Sequence, residues 1–254
     1  MRRMGKNKSV KFKVFRKNPK ISNDYKYDEF DVPLEEGMVV LDGINYIIEH
    51  YDSTISVRWN CKAARCGSCA AEINGYPKLM CKTRIEEMGD SITINPMRAF
   101  PLVKDLVTDV SINFEIDKKI PEFKPKIRGK TPWKIYDIDV NRAQEFRKCI
   151  ECFLCQDTCH VVRDHNTKYV GPRHVIKAAA LDMHPLDTID RSEMLTKEMG
   201  LGYCKVTKCC QEVCPEHIKI TDNAIIPEKE RAADNIYDPI IMLIKRLRSN
   251  RDKK

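Results

Sequence analysis

The chain has 254 residues, of which 42% are hydrophobic, 32% charged and 7% aromatic, and its formal net charge is +8. This length suits one large domain or two ordinary ones, and the apolar content excludes a largely disordered chain. The basic excess lies at the ends, since the first twenty residues carry nine basic and no acidic residues and residues 21–244 are net acidic. A duplex-binding surface needs a basic stripe on the folded body, which this distribution does not require, so we expect no nucleic-acid partner.

Alternating apolar residues predict strands in the N-terminal part, as in Val10–Phe15, where lysines separate the apolar positions. The predicted strands are Val10–Phe15, Glu29–Val32, Ile55–Trp59, Ala70–Ile73 and Ile92–Ile94. The predicted helices are Val39–His50 and one that starts near Pro101, with Leu102, Leu106 and Val110. Asn74-Gly75 is typical of a hairpin turn. These elements indicate a small mixed sheet with packed helices.

A segment rich in proline and charge, within residues 121–138, predicts a linker between two domains. Beyond it the pattern favours helices at Asn141–Lys148, Pro172–Asp182 and Ser192–Glu198. A last helix is predicted from Asp238-Pro239, an N-cap and first-turn pair, with one apolar face formed by Ile240, Leu243, Ile244 and Leu247. This basic amphipathic helix suits either a membrane or partner surface or ordinary packing.

No run of 18 apolar residues occurs, and no apolar stretch follows the basic N-terminal segment. We expect neither a transmembrane helix nor a secretory signal. All twelve cysteines fall in three short windows, at residues 61–81, 149–159 and 204–214. Disulfide frameworks scatter cysteines through small secreted domains, so tight clusters without an export signal favour metal ligation.

The first window has the spacing C-x4-C-x2-C-x11-C, formed by Cys61, Cys66, Cys69 and Cys81. Plant-type [2Fe–2S] sites use C-x4-C-x2-C with a distant fourth cysteine. Gly67, between the second and third cysteines, allows a backbone approach that a side chain would block. Structural zinc prefers two short knuckles, and only one is present here, so zinc is the weaker interpretation.

The second window, C-x2-C-x2-C-x3-C, consists of Cys149, Cys152, Cys155 and Cys159. In two-cluster ferredoxins the first three such cysteines bind one [4Fe–4S] cluster and the fourth binds the other cluster. The third window contains Cys204, Cys209, Cys210 and Cys214, and Cys214 precedes a proline as the exchanged fourth cysteine does. Each of the two windows therefore supplies a ligand that the cluster of the other window requires.

The ligands left for a third cluster are Cys159, Cys204 and Cys210, because Thr207 occupies the position where a further cysteine would complete the motif. Three thiolates suit a [3Fe–4S] cluster. Cys209 leaves an alternative open, since it would make the cluster [4Fe–4S] if it were a fourth ligand. Adjacent residues on a helix or turn point apart, which favours Cys209 as a free thiol.

In its combination and order of motifs, nearly the whole chain resembles the iron–sulfur subunit of succinate dehydrogenase and fumarate reductase. Tyr169-Val-Gly-Pro172 also resembles a Gly-Pro helix start in that family. The resemblance implies an α+β fold. Residues 1–122 would form a β-grasp plant-type ferredoxin domain, residues 123–138 a linker, and residues 139–254 an all-α bacterial-ferredoxin-like domain with two clusters.

The resemblance also implies the ligand sets of all three clusters. Cys61, Cys66, Cys69 and Cys81 would bind [2Fe–2S]; Cys149, Cys152, Cys155 and Cys214 would bind [4Fe–4S]; and Cys159, Cys204 and Cys210 would bind [3Fe–4S]. Single electrons would pass between a FAD-containing flavoprotein subunit, which interconverts succinate and fumarate in the tricarboxylic acid cycle, and a quinone at a membrane-anchor subunit. The chain would be peripheral, on the cytoplasmic side of the cell membrane.

The resemblance also implies that the chain itself has no substrate-converting site, and with ten glycines and no G-x-G-x-x-G motif we expect no flavin or nucleotide site. It departs from the family around the third cluster, where it has His160 after the second window, the run Val161-Val162-Arg163-Asp164, and Lys205. Two alternatives are a soluble ferredoxin-like subunit of another redox complex, heterodisulfide-reductase-like or glycolate-oxidase-like, and a zinc-stapled interaction module.

Overall fold

The computed structural model describes residues 9–125, 134–164 and 167–239. The chain divides into two compact units. The first contains the chain up to Ile112 together with Cys149–Thr158 and Val213–Glu216. The second contains Asn113–Lys148, Cys159–Glu212 and the chain from His217 onward. Two short segments from the C-terminal half, both carrying cysteines, therefore pack with the N-terminal unit.

The first unit is built on a five-stranded mixed sheet. Its strands and helices are β1 (Ser9–Arg16), β2 (Lys26–Pro33), α1 (Val40–His50), β3 (Ala70–Ile73), β4 (Tyr76–Leu79), β5 (Ser91–Asn95), β6 (Leu102–Lys104) and β7 (Val107–Thr108). The sheet order is β2-β1-β5-β3-β4, with β1 parallel to β5 and the other neighbours antiparallel. This confirms the expected mixed sheet and the strand predicted at Ala70–Ile73.

The core of this sheet follows the alternation seen in the sequence. Val10, Phe12 and Val14 of β1 are buried. On the other face, Lys11 and Lys13 form ion pairs with Glu29 of β2, at 3.3 and 2.9 Å. Helix α1 packs directly on β1, because a Cβ at Gly43 would lie 2.4 Å from the Phe12 ring.

The hairpin predicted at Asn74-Gly75 is confirmed, since Ile73 pairs with Tyr76 across the turn. Asn74 and Gly75 have φ of 50° and 81°. Two consecutive residues in the left-handed region match the twist of the flanking strands. The turn connects β3 to β4, a strand that sequence alternation did not reveal because it contains Pro77 and is only four residues long.

The helix predicted near Pro101 is wrong, because Leu102–Lys104 and Val107–Thr108 form a two-stranded antiparallel ribbon instead. Asp105 lies between the strands at φ 48° and is 2% exposed. Its carboxylate accepts N–H groups from Lys17 and Ser56, at 3.1 and 3.0 Å. These long-range bonds hold the turn, and they also hold the segment after Ile55 outside the sheet, so the strand predicted at Ile55–Trp59 is wrong as well.

The described helices that follow begin at Ser111. They are α2 (Ser111–Asp117), α3 (Asp137–Gln144), α4 (Leu154–Thr158), α5 (His160–Arg163), α6 (Pro172–Asp182), α7 (Ser192–Lys197), α8 (Cys209–Glu212) and α9 (Ile226–Tyr237). Short 3-10 turns at Glu145–Lys148 and Leu201–Tyr203 and a π-helical turn at Ile220–Ile225 lie among them. The helix predicted at Pro172–Asp182 is confirmed.

In the second unit the apolar side of α6 packs against the π-helical turn, which also packs against α9. Val175, Ile176, Ala178 and Ala179 are buried on this side of α6. The predicted linker falls partly on residues 126–133, which lie outside the described residues. So do Ile240, Leu243, Ile244 and Leu247 of the predicted last helix. Among the described residues, no helix is long and apolar enough to cross a membrane.

A buried ion network around Arg191 connects elements of the second unit. The Arg191 side chain is fully buried and donates to Asp182 and Asp187 at 2.7 and 2.9 Å. It also donates to the carbonyls of Pro121 and Glu122, at 2.9 and 3.0 Å. With the Ile189 carbonyl at 3.3 Å there are five acceptors, which suit the five fixed donors of a planar guanidinium. The network therefore fixes the segment at Pro121 against α6 and α7.

Glu228 of α9 lies beside this network, and replacing it is expected to make stability less dependent on pH. Burial and the neighbouring Asp182 raise the pKa of Glu228 to about 7 from an ordinary 4.5. The folded chain keeps this proton longer than the unfolded chain, so the contribution to stability is complete below pH 4.5 and is lost as the pH rises towards 7. Glu228→Gln is therefore expected to stabilise the holoprotein by about 1–3 kcal/mol at pH 8.

The measurement is the midpoint of thermal unfolding of wild type and variant at pH 5 and pH 8. The gain should shrink strongly at pH 5, where the wild-type side chain is mostly protonated. An exposed carboxylate of the same helix, Glu230, gives the control, since Glu230→Gln removes an equal charge without burial. A gain of the same size at both pH values would contradict the prediction.

Candidate metal centres

The first cysteine window forms a loop between α1 and β3. Lys62, Ala64 and Gly67 have φ of 56°, 54° and 68°, so the backbone turns repeatedly between the ligand positions. The N–H groups of Ala63 and Arg65 donate to Cys61 Sγ, both at 3.3 Å. N–H groups directed at sulfur are what a negatively charged iron–sulfur centre requires.

Two thiols of this loop have strongly shifted pKa values. Burial opposes ionisation of Cys66, but hydrogen bonds from Ser68 and Cys61 outweigh it and lower the pKa of the Cys66 thiol to about 6. Burial raises the pKa of Cys69 to about 12, and the nearby Cys81 adds to the increase. The Cys81 N–H lies 3.5 Å from Cys69 Sγ, so the two thiols are neighbours. Metal cations would relieve the cost of ionising them together.

The second group consists of Cys149, Cys152, Cys155 and Cys214, all of which belong to the first unit. Glu151 and Phe153, on either side of Cys152, have φ of 57° and 60°. These left-handed residues turn the chain sharply around a buried cysteine. Burial raises the pKa of Cys152 to about 12, with further increases from Cys149 and Cys214. The cysteine predicted to come from the third window is therefore an electrostatic neighbour of the second.

Close contacts join the loops of these two groups inside the first unit. A Cβ at Gly67 would lie 2.5 Å from Cys152 Cα. Lys82, which follows Cys81, donates from Nζ to the Pro215 carbonyl at 2.9 Å, and Pro215 follows Cys214. The buried Asp157 carboxylate accepts the Ala99 N–H at 3.0 Å. The loop of the first group thus lies directly against that of the second.

The third group lies in the second unit, around a small cavity of about 10 Å³. Its lining includes Cys159, Cys204, Cys209 and Cys210. Burial raises the pKa of Cys210 to about 12, and Cys209, Cys159 and Cys204 increase it further. The Thr221 hydroxyl lies 3.3 Å from Cys210 Sγ. The cavity is therefore lined by the three predicted thiols and by Cys209, the residue that precedes Cys210.

Cys209 differs from Cys210 in its surroundings. Cys210 is 6% exposed, whereas Cys209 is partly exposed and its Sγ accepts the Thr207 hydroxyl at 3.4 Å. The two residues begin the short helix α8, and both line the cavity. Basic side chains surround the same cavity, namely His160, Lys205 and Lys208.

Two side chains of this cavity were not among the predicted site residues. Tyr169 is 5% exposed, and its hydroxyl has no hydrogen-bond partner among the described residues. Thr221 reaches Cys210 from the π-helical turn, and no spacing rule connects these two positions. In the sequence, Tyr169 was noted only as part of a helix start. Its burial beside the cysteines depends on the tertiary structure.

The donor sets fit iron–sulfur clusters, whose ligands are thiolates with hydrogen-bond donors directed at the sulfurs. Within the part of the chain that the structure describes, no three His, Cys, Asp or Glu side chains close around one metal-ion position. The cysteines instead surround loops and a cavity, with N–H and O–H groups directed at their sulfurs. Together with the sheet and the helical unit, they define an iron–sulfur protein of the electron-transfer class.

Comparison with known proteins identifies the family. A 2Fe-2S iron-sulfur cluster binding domain matches residues 11–115, and a 4Fe-4S dicluster domain matches residues 145–218. The fumarate reductase iron-sulfur subunit of Mycobacterium tuberculosis is 31% identical over 219 residues, which cover 82% of this chain and 87% of that protein. The chain belongs to the family of iron–sulfur subunits of fumarate reductase and succinate dehydrogenase.

A solved structure, the Sdh1 complex of Mycobacterium smegmatis in its apo form, contains a similar chain. The two share 52% identity and a TM-score of 0.87, and the match covers 92% of this chain and 99% of that one. The fumarate reductase iron-sulfur subunit of Haemophilus influenzae is 30% identical over 222 residues, which cover 81% of this chain and 86% of that protein. The predicted family and the [2Fe–2S] and [4Fe–4S] cofactors are confirmed.

Proposed function

We propose that this chain is the electron-transfer subunit of a succinate:quinone oxidoreductase. It relays single electrons between a FAD-containing flavoprotein subunit and a quinone at a membrane-anchor subunit, on the cytoplasmic side of the membrane. The observation that carries this proposal is the grouping of the cysteines, with two groups in direct contact in one unit and a third around a cavity of the other. Several cluster sites on one chain suit an electron relay.

We assign the ligands in three sets. Cys61, Cys66, Cys69 and Cys81 hold [2Fe–2S]; Cys149, Cys152, Cys155 and Cys214 hold [4Fe–4S]; and Cys159, Cys204 and Cys210 hold [3Fe–4S]. Cys149, Cys152, Cys155 and Cys214 lie together in the first unit, and Cys159, Cys204 and Cys210 line one cavity of the second unit, which supports this division. The division into domains at residues 1–122, 123–138 and 139–254, with β-grasp and all-α folds, is part of the same proposal.

The bound clusters supply one-electron chemistry, and the chain's residues control its surroundings. Cys69, Cys152, Cys155, Cys159 and Cys210 are buried, which keeps water from the clusters. N–H donors at Cys61 and the hydroxyl at Cys210 stabilise negative charge on the ligand sulfurs. The contact between Gly67 and Cys152 places side by side the two loops that would hold the first two clusters, as an electron relay between them would require.

The test is purification of the intact complex from the host's membranes, followed by metal analysis and electron paramagnetic resonance (EPR). We expect a flavoprotein to co-purify, succinate to reduce the clusters, and roughly nine iron atoms per chain with acid-labile sulfide. Zinc without sulfide would support the structural module instead. Intact clusters without a succinate-reacting partner would support a soluble subunit of another redox complex.

Serine variants of the cysteine doublet test the third cluster, and we expect them to differ. Cys210→Ser should remove the EPR signal of the oxidised [3Fe–4S] cluster, because it deletes a buried ligand. Cys209→Ser should leave that signal and the iron content unchanged. Loss of about one iron and a new [3Fe–4S] signal in Cys209→Ser would instead identify Cys209 as the fourth ligand of a [4Fe–4S] cluster.

A further inference from the structure

The Tyr169 side chain is rigidly placed at the edge of the third cysteine group. A Cβ at Gly200 would lie 2.7 Å from the Tyr169 backbone nitrogen, so the two segments are in backbone contact. The Val170 N–H donates to the Met199 carbonyl at 3.1 Å and holds the same contact. These interactions fix the backbone position of Tyr169, which lies three residues before the start of α6.

The Tyr169 hydroxyl is buried and lacks a conventional partner. Its oxygen has no hydrogen-bond acceptor or donor among the described residues, and the side chain is 5% exposed. Buried tyrosine hydroxyls normally find a partner, since leaving one unpaired is costly. Tyr169 lines the same cavity as Cys159, Cys204 and Cys210. The missing acceptor is therefore to be sought among the cluster ligands.

Cys204 is the acceptor that the arrangement favours. It lines the same cavity as Tyr169, and of the three thiols it has the largest electrostatic effect on the Tyr169 hydroxyl. Cys210 already has a hydroxyl partner, since Thr221 Oγ1 lies 3.3 Å from its sulfur. A phenol is a good donor, and a thiolate bound to iron is a good acceptor that the free thiol is not.

We propose that Tyr169 donates a hydrogen bond to the Cys204 thiolate and thereby raises the reduction potential of the third cluster. This inference rests on the proposed function, which assigns the cluster to Cys159, Cys204 and Cys210. Reduction adds negative charge that is shared with the ligand sulfurs, so a hydrogen bond to one of them stabilises the reduced form more than the oxidised form. The effect is strengthened for a buried hydroxyl, because the effective dielectric constant around it is low. In this role Tyr169 is not a metal ligand; it adjusts the reduction potential through its hydrogen bond to the Cys204 ligand.

The experiment is an EPR-monitored redox titration of the intact complex carrying Tyr169→Phe, which removes only the hydroxyl. We expect the reduction equilibrium of the third cluster to shift about tenfold towards the oxidised form, which is about 60 mV for a one-electron couple. The first two clusters serve as internal references and should keep their midpoints. Tyr203→Phe is the matched control, because Tyr203 precedes Cys204 in sequence but is 50% exposed; it should shift nothing.

A second variant keeps the test decisive if Tyr169→Phe fails to assemble the cluster. Site-specific replacement of Tyr169 by 3-fluorotyrosine retains the ring and hydroxyl and makes the hydroxyl a stronger donor, so the midpoint should move upward. Unchanged third-cluster midpoints in the variants that assemble would overturn the role of Tyr169. Absence of a third cluster in the wild-type complex would overturn the ligand assignment of the proposed function, and the inference with it.

Discussion

Replacing Gly67 by alanine is expected to destabilise the holoprotein by about 3–5 kcal/mol and to deplete the second cluster. The new Cβ would lie 2.5, 2.7 and 2.9 Å from Cα, Cβ and N of Cys152. These are backbone and near-backbone atoms, which cannot move aside as the end of a flexible side chain can. The φ of 68° adds strain for a residue with a Cβ. Cys152 must therefore move, and with it a proposed ligand of [4Fe–4S].

Iron and sulfide content, EPR of the reduced protein and the thermal midpoint measure this effect. Gly89→Ala is the matched control, because Gly89 has φ of 83° but nothing within 4 Å of its added Cβ. Gly89→Ala should lower the free energy of unfolding only by the cost of backbone strain, about 1–2 kcal/mol, and it should keep the full cluster content. Equal behaviour of the two variants would show that the Gly67–Cys152 contact is unimportant.

Replacing Arg191 by methionine is expected to cost about 3–5 kcal/mol, because it leaves buried carboxylates without their cation. The Asp182 side chain is fully buried and that of Asp187 is 2% exposed. Burial already raises the pKa of Asp182 even with Arg191 beside it. The variant is therefore expected to take up a proton at Asp182, and its deficit should shrink as the pH falls.

Denaturation of the holoprotein at pH 5 and pH 8 measures this difference. The double variant Arg191→Met with Asp182→Asn should recover part of the stability, since the unpaired charge is removed as well. Lys197→Ala is the surface control, because its partner Glu193 is 77% exposed and the pair is solvated; no measurable change is expected. A loss for Arg191→Met no larger than that of Lys197→Ala would refute the role of the buried network.

Local patterns predicted the elements whose buried face repeats within a few residues. The alternation of Val10, Phe12 and Val14 predicted β1, and Asn74-Gly75 predicted the hairpin, because both depend on neighbours in sequence. The cysteine spacings similarly predicted the family, since ligands of one cluster within a loop must be a fixed number of residues apart. The helix near Pro101 failed because the Asp105 carboxylate that turns the chain is held by N–H groups of Lys17 and Ser56, distant in sequence.

Metal ligation restricts residue type and spacing, so the class of cofactor and the family could be predicted from the cysteine pattern. Which loops meet depends on the folded structure. It placed Cys149–Thr158 and Val213–Glu216 in the first unit, with Gly67 against Cys152. It also buried the Tyr169 hydroxyl without a partner beside Cys204. Such contacts join residues far apart along the chain, and their geometry depends on the packing of whole elements rather than on any local period.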